Sequence, residues 1–326
     1  MSEQDFDMEV DVVVLGTGGG GLTAAMAAHD FGAGEVLILE KFGMIGGTSA
    51  MSGGMLWIPL NDQQAKHGVE DSYEEVVAYV DGLADDGHLE PETFGAFLEE
   101  GPEMLRWFDE KTPVKLRLFE GFPDYQSWAE GAKEYGSRSL DNDVFPFVEL
   151  GSWAKWVNPP KTGWPRRTSM IEDYYSPGLS EEELADREAR DCRGQGQALI
   201  GSLLKGVLDR NIPLHRESRA RHLIHDGNRV VGVVTEEGGK ELRIKARKGV
   251  IIATGGMPEK DILKGGNDLT VSAWDILSGD VKPGTNVLLY DDAGDHAALQ
   301  AAQTLTEAGA KVEIMTPART FAPDVM

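Results

Sequence analysis

Three glycines and one acid near the start of the chain have the types and spacing to hold a nucleotide. Gly16, Gly18 and Gly21 stand in G-x-G-x-x-G spacing, with Gly19 between them, and Glu40 follows 24 residues after Gly16. Glycine at 16 permits a tight turn, at 18 it lets the main chain approach a pyrophosphate, and at 21 it lets a helix pack close on a strand. A carboxylate at Glu40 can accept hydrogen bonds from ribose hydroxyls, and it would repel a 2′-phosphate, which disfavours NADP. The neighbouring elements are the ones such a site needs. Asp11 to Leu15 is a β-branched strand, Leu22 to His29 is an alanine-rich helix, and Val36 to Leu39 is a second strand ending at the acid. The helix would direct about half a positive charge at the phosphates. With strand, turn, helix and acid all in order, the series reads as a dinucleotide site and not as a bare glycine-rich turn.

The next segment, Lys41 to Gly54 (KFGMIGGTSAMSGG), packs five glycines and three hydroxyl residues behind the acid. An NAD domain has no need of it. Its GGTSAMSGG run resembles the loop of the succinate dehydrogenase/fumarate reductase flavoprotein superfamily, which runs along the pyrophosphate toward the flavin ring. The resemblance implies FAD, with Gly47, Thr48, Ser49, Ser52, Gly53 and Gly54 at the cofactor and Lys41 beside Glu40. Further motifs resemble the FAD-dependent 3-ketosteroid 1-dehydrogenase branch. They are Trp57-Ile-Pro59, Gly101 to Leu105 (GPEML), Thr112 to Leu116 (TPVKL), Gly121 to Tyr125 (GFPDY) and Gly136-Ser-Arg-Ser139. Arg193 to Ile200 matches that branch's G-x-A-L helix start, and Ala253-Thr-Gly255 matches the strand end that returns past the cofactor. By the same resemblance Arg221 lies near adenine.

That branch removes hydrogen across a ring C–C bond, a hydride going to the flavin and a proton to a tyrosine-assisted base. Tyr125 matches the active-site tyrosine segment, although the second tyrosine usual there is Gln126 in this chain. From the residues alone Tyr125 is equally readable as a packing aromatic. The resemblance therefore implies an FAD-dependent oxidoreductase acting on CH–CH groups of a small, steroid-like substrate.

Bulk properties narrow the alternatives. The 326 residues suffice for about two domains. A net charge of −24, from 31 Lys and Arg against 55 Asp and Glu, argues against nucleic acid and anionic membranes as partners. Cys192 is the only cysteine, so no intrachain disulfide or cysteine-bound iron–sulfur cluster can form. His222 and His225 lack a third ligand nearby and read as structural, so no metal is expected. Met1 to Asp11 is acidic without an apolar core, no run is long enough to span a bilayer, and the expected location is cytoplasmic. The oligomeric state is left open.

The expected fold is α/β: a three-layer, Rossmann-like FAD-binding domain over 1–257 with a β-meander and a helical or irregular segment at about 61–190. Helices are expected at Ser72 to Leu83 and at Glu92 to Trp107, with Pro102 at an early-turn position, and Ser180 to Glu183 opens a short capped helix. Residues 214–252 alternate as strands, with a turn at Asp226 to Asn228; Val230 to Val234 and Leu242 to Lys245 form a meander, and Lys248 to Gly256 closes this part. Phe145 to Pro165 reads as a long irregular stretch.

After Gly256 the pattern changes. Residues 258–326 resemble the NAD(P)-type half of NADH:flavin oxidoreductases related to 2,4-dienoyl-CoA reductase and trimethylamine dehydrogenase. Val287 to Tyr290, His296 to Glu307 and Val312 to Met315 read as a partial second βαβ unit, with Leu299, Ala302, Gln303 and Leu305 on or near one helix face. Its turn, Asp291 to His296, carries three acids and no G-x-G-x-x-G, so nucleotide binding is disfavoured there. The two resemblances meet at the ATGG segment and imply a chimera. The catalytic domain and the C-terminal flavin-cradling stretch of the ketosteroid branch are then missing, and the expected turnover is low. A flavin-binding fragment, or an NADH:flavin oxidoreductase-type dehydrogenase, is the alternative.

Overall fold

The computed structural model describes residues 6–83, 91–159, 168–175, 179–255, 270–277, 279, 281–282, 284–291, 296–316 and 320. The chain divides into two compact units, Met1–Gly255 and Gly256–Met326.

The first unit opens with β1 (Met8–Leu15), α1 (Gly19–Asp30) and β2 (Val36–Leu39). β3 (Leu56–Trp57), α2 (Asp62–Lys66), α3 (Tyr73–Asp81), α4 (Pro91–Lys111), β4 (Leu116–Leu118), β5 (Ser139–Asn142) and β6 (Phe145–Pro146) follow. Next come α5 (Glu181–Ala189), β7 (Cys192–Arg193), α6 (Gln195–Asp209), β8 (Leu214–His215), β9 (Ser218–Asp226), β10 (Arg229–Glu237) and β11 (Lys240–Ile252).

The principal sheet has the order β8-β2-β1-β11-β10-β9. β1 lies parallel to both neighbours, with Val12 opposite Val36 and Val13 opposite Val250. Unbroken apolar runs suit such strands because both faces are covered. Val12 and Val14 join Leu22 and Met26 of α1 and Leu203, Leu204 and Val207 of α6 in one core. Val13 and Leu15, one residue out of phase, join Leu37, Leu39 and the meander residues Val233, Ile244 and Ala246 in another. The fold is α/β, as expected, and the meander forms with its turn at Gly227 and Asn228.

Several local expectations are corrected. Leu242 to Lys245 and Lys248 to Ile252 are one strand, β11, because its N-terminal half pairs antiparallel with β10 and its C-terminal half parallel with β1. Pro102 lies deep inside α4 and not at its start, because that helix begins at Pro91. Its missing N–H leaves the Leu98 carbonyl without a helical donor, yet Gly101 and Pro102 are buried, and a Cβ on Gly101 would meet Ile58 Cγ2 at 3.1 Å. The segment at 61–190 is not only helical. β4 and β5, with β3, make a three-stranded antiparallel sheet, and part of the stretch expected to be irregular, Phe147–Trp156, forms 3₁₀ turns kinked at Gly151. Residues 160–165 of that stretch lie outside the described residues.

The second unit contains α7 (Ala273–Leu277), β12 (Asn286–Tyr290), α8 (His296–Glu307) and β13 (Lys311–Met315), with β12 and β13 parallel. Its core is Ile276, Leu289, Ala298, Ala301 and Leu305. The buried stripe of α8 is thus 298/301/305. Leu299 is 40% exposed and Gln303 faces outward, which corrects the expected face; Ala302 packs at its margin. Four residues of the acidic turn, 292–295, lie outside the described residues. Among the described residues no helix is long and apolar enough to cross a membrane.

Candidate cofactor site

The site grows from the end of β1. Gly16 takes φ +103, and a Cβ there would lie 2.4 Å from the Ala253 carbonyl oxygen. A Cβ on Gly21 would lie 2.1 Å from the Gly16 carbonyl oxygen. These two glycines let β1, the first turn of α1 and the end of β11 meet, and they bring Ala253, Thr254 and Gly255 beside the turn. Gly18 differs. It is extended (φ −65, ψ 178), and its Cβ would find only Ser49 Oγ, at 3.6 Å. Gly20 has nothing within 4 Å. Gly18 caps α1 without any side-chain hydrogen bond, and the Gly19 N–H donates to Ser49 Oγ at 3.2 Å. The result is a helix N-terminus with an open face, the geometry that receives anions.

Glu40 is buried at the end of β2. One carboxylate oxygen accepts from the Thr17 N–H at 3.2 Å and from the Thr17 hydroxyl; the other accepts from the Phe42 N–H at 2.9 Å. A carboxylate offers about four acceptor positions, so roughly one is left for a ligand hydroxyl. Thr17 also accepts from the Gly46 N–H at 3.0 Å. It therefore ties the turn, the acid and the following loop together. The sequence reading missed it, although its place between Gly16 and Gly18 was the signal.

Lys41 and Arg221, assigned separately from the sequence, line one cavity of about 350 Å³ with Glu217, Arg219, Glu236 and Gly239. Arg221 is ion-paired to Glu236 at 2.7 Å. The loop 46–54 is held from behind. Gly54 takes φ +72, and a Cβ there would lie 2.4 Å from the Gln195 carbonyl carbon. Ser52 Oγ donates to the Ser49 carbonyl and accepts from the Gly54 N–H. Gly47, Thr48 and Ser52 are exposed along the loop, and Gly53 is half-buried under Ile171.

Tyr125 is 84% exposed and meets Phe122 edge-on at 6.2 Å, so it fills no core. The residue before it is anchored deeply. The Arg138 guanidinium, fully buried, donates two hydrogen bonds to Asp71 (2.9 and 2.7 Å) and one to Asp124 (2.8 Å). Asp124 also accepts from Trp57 Nε1 at 2.7 Å and from the Lys133 N–H at 2.9 Å. Burial works against ionising Asp71, but Arg138 and Gln64 outweigh it and hold that carboxyl below its usual range. None of these charges was singled out from the sequence.

Asp141 on β5 has the opposite balance. Its carboxylate accepts from the Asn142 and Glu172 N–H groups at 2.8 Å, yet burial pushes its pKa up to about 6. The folded protein thus holds this proton more tightly than the unfolded chain. The contribution favours folding below the unfolded value and is lost as pH rises through about 6. It amounts to at most about 3 kcal/mol. Between pH 4 and 7 the stability of the wild type should fall relative to that of Asp141→Asn, measured by urea unfolding at each pH. A constant difference across that range would refute the assignment.

Comparison with known proteins follows this geometry. Residues 11–287 match the family described as FAD binding domain. The 4-oxocyclohexanecarboxylate 2-dehydrogenase of Sinomonas cyclohexanicum is 34% identical over 257 residues, 76% of this chain and 43% of that enzyme. The crystal structure of 3-ketosteroid delta1-dehydrogenase from Sterolibacterium denitrificans superposes with a TM-score of 0.69 at 29% identity, over 76% of this chain and 48% of that one. This chain spans about half the length of both. A third relative, the probable N-methylproline demethylase of Rhizobium meliloti, is 73% identical over 77 residues, 24% of this chain and 11% of that protein.

Proposed function

The chain belongs to the FAD binding domain family, and from that premise we propose that its first unit is the cofactor module of a dehydrogenase acting on CH–CH groups of cyclic ketones. The observation that carries this reading is the glycine start of α1, where no side chain at Gly18 or Gly20 covers the helix end, set beside the buried Glu40. Bound FAD would supply the two-electron acceptor. The N–H groups at Gly18 and Gly20 would receive the pyrophosphate, with the Gly19 N–H held by Ser49 Oγ, and Glu40 would accept a ribose hydroxyl. The cavity lined by Lys41 and Arg221 suits the adenine end. Thr48 to Gly54 and Ala253 to Gly255 would border the rest of the cofactor. Tyr125, with its hydroxyl in solvent, is available to pass a proton. The similar enzymes named for 4-oxocyclohexanecarboxylate and for a ketosteroid support a cyclic ketone as substrate.

We further infer a chimera joined near Gly255 to Met257. The 77-residue stretch at 73% identity is close in length to the second unit and belongs to a different kind of protein from the relative matched over 76% of the chain, although the FAD family match itself runs on to residue 287. On this reading steroid turnover is slow. Orienting a substrate against the flavin can contribute roughly 7–11 kcal/mol, and the exposed Tyr125 gives little enclosure. A single acid or base contributes only about 10²–10⁴-fold. The purified protein should carry about one flavin per chain, and its rate with 4-androstenedione and an artificial electron acceptor should stay well below the roughly one per second of working enzymes. A colourless protein would sink the cofactor assignment, whereas fast turnover would sink only the inference of a crippled chimera.

A further inference from the structure

The loop 46–54 is turned by two buried amides. Gln197 in the first turn of α6 donates through Nε2 to the Ala50 carbonyl at 2.8 Å and to the Asn158 carbonyl at 2.7 Å. Asn142 at the end of β5 donates through Nδ2 to the Gly54 carbonyl. Between them the Gly196 N–H donates to the Ser52 carbonyl at 3.0 Å. Three alternate carbonyls of the loop, at 50, 52 and 54, are thereby held toward α6 and β5. The front of the same loop meets the start of α1 through Ser49 Oγ and the Thr17 hydroxyl.

The amide orientations are fixed by these partners. Reversing Asn142 would face two oxygens at Gly54. Reversing Gln197 would do so at Ala50 and Asn158 and would forfeit the Arg193 donor to its Oε1 at 3.3 Å. Asn142 is nearly fully buried, and its Oδ1 has no partner in the structure. An orphaned buried acceptor is costly. An apolar side chain of the same shape would avoid that cost but would leave the Gly54 carbonyl without its Asn142 donor, so the asparagine is kept for its hold on that carbonyl. A carbonyl oxygen that swung to the front would meet the phosphates of a dinucleotide with like partial charge.

We propose that Asn142 and Gln197 are positioning residues that clamp the carbonyls of Gly54 and Ala50 away from the cofactor cleft and so set the affinity for FAD. The inference rests on the FAD-binding reading above. Its substance is that two residues which need not touch the cofactor govern its retention.

The test is a titration of flavin-stripped full-length protein with FAD, followed by flavin fluorescence, at pH 8 and pH 5.5. Asn142→Asp keeps the shape but cannot donate when ionised; Gln197→Leu cannot donate at any pH. At pH 8 both should bind FAD at least tenfold more weakly than wild type. At pH 5.5 the Asn142→Asp deficit should shrink toward wild type, because burial favours the neutral acid, whose O–H can again donate to Gly54. The Gln197→Leu deficit should stay. Each value is taken as a ratio to a parent at the same pH, with Asp141→Asn in both parent and variants, because a carboxyl at 142 would shift the titration of the adjacent Asp141. Affinities within twofold of wild type at pH 8, or equal acid responses of the two variants, would overturn the clamps while leaving FAD binding intact. Failure of both variants to fold would also overturn them, since a clamp on an open loop leaves the sheet core untouched. A wild type that takes up no FAD overturns the underlying reading and the clamps with it.

Discussion

Gly18→Val should yield a folded but colourless protein. The backbone at Gly18 is extended, a conformation valine adopts readily, and its added Cβ meets only Ser49 Oγ at an ordinary 3.6 Å. Neither the backbone conformation nor the space at the Cβ resists the substitution. The side chain would instead fill the space in front of the α1 N-terminus that a pyrophosphate must enter. Flavin content should fall from about one per chain to near zero, with a melting temperature within a few degrees of the flavin-stripped wild type. Gly21→Val is the contrast. There a Cβ would lie 2.1 Å from a main-chain oxygen, so that variant should lose fold and colour together. A yellow Gly18→Val protein with full flavin content would show that the pyrophosphate lies elsewhere.

Arg138→Met should be among the most destabilising single changes in the first unit. Asp71 and Asp124 are both almost wholly buried and rely on Arg138 for three hydrogen bonds. Removing one partner of a buried ionic network leaves the others uncompensated and typically costs about 3–5 kcal/mol. Lys133 stands 3.6 Å from Asp71 and softens the loss only in part. The exposed pair of Arg106 with Asp62 sets the scale, because Arg106→Met should cost less than about 1 kcal/mol. Urea denaturation of the two variants measures the contrast, and equal midpoints would mean that the buried network is dispensable.

The parts legible in the sequence were those with a strong period or a special backbone demand. β2 forms over Val36 to Leu39 as read, because four apolar residues between glycine-rich turns leave a strand little alternative. Gly16 and Gly21 were readable because a glycine needed for close approach leaves a fixed spacing. What escaped notice has no such trace. β3, β4 and β5 are two to four residues long, too short for a period to stand out, even where β4 alternates as Leu116-Arg117-Leu118. Arg138, Asp71 and Asp124 are separated by up to 67 positions, and each looks like a solvated charge until folding brings them together. Thr17, Asn142 and Gln197 are ordinary polar residues whose work is to bond main-chain groups, and no residue type announces that role. Pro102 was misplaced because a proline was taken to mark a helix start, whereas α4 tolerates it at a buried interior position.

The order of the principal sheet also sets a schedule for synthesis. β1 leaves the ribosome well before β11, yet β11 is one of its two neighbours, with Val13 opposite Val250. At about 5–20 residues per second, roughly 12–50 s pass between the appearance of those two residues. During that interval one side of a strand whose second half, Val12 to Leu15, is wholly apolar has its hydrogen-bonding groups unsatisfied, although β2 can cover the other side early. An exposed apolar strand edge invites pairing with another chain. The nascent protein is therefore most vulnerable to aggregation while the residues between these two strands are being made, and slowing translation should lower its soluble yield unless a chaperone shields β1.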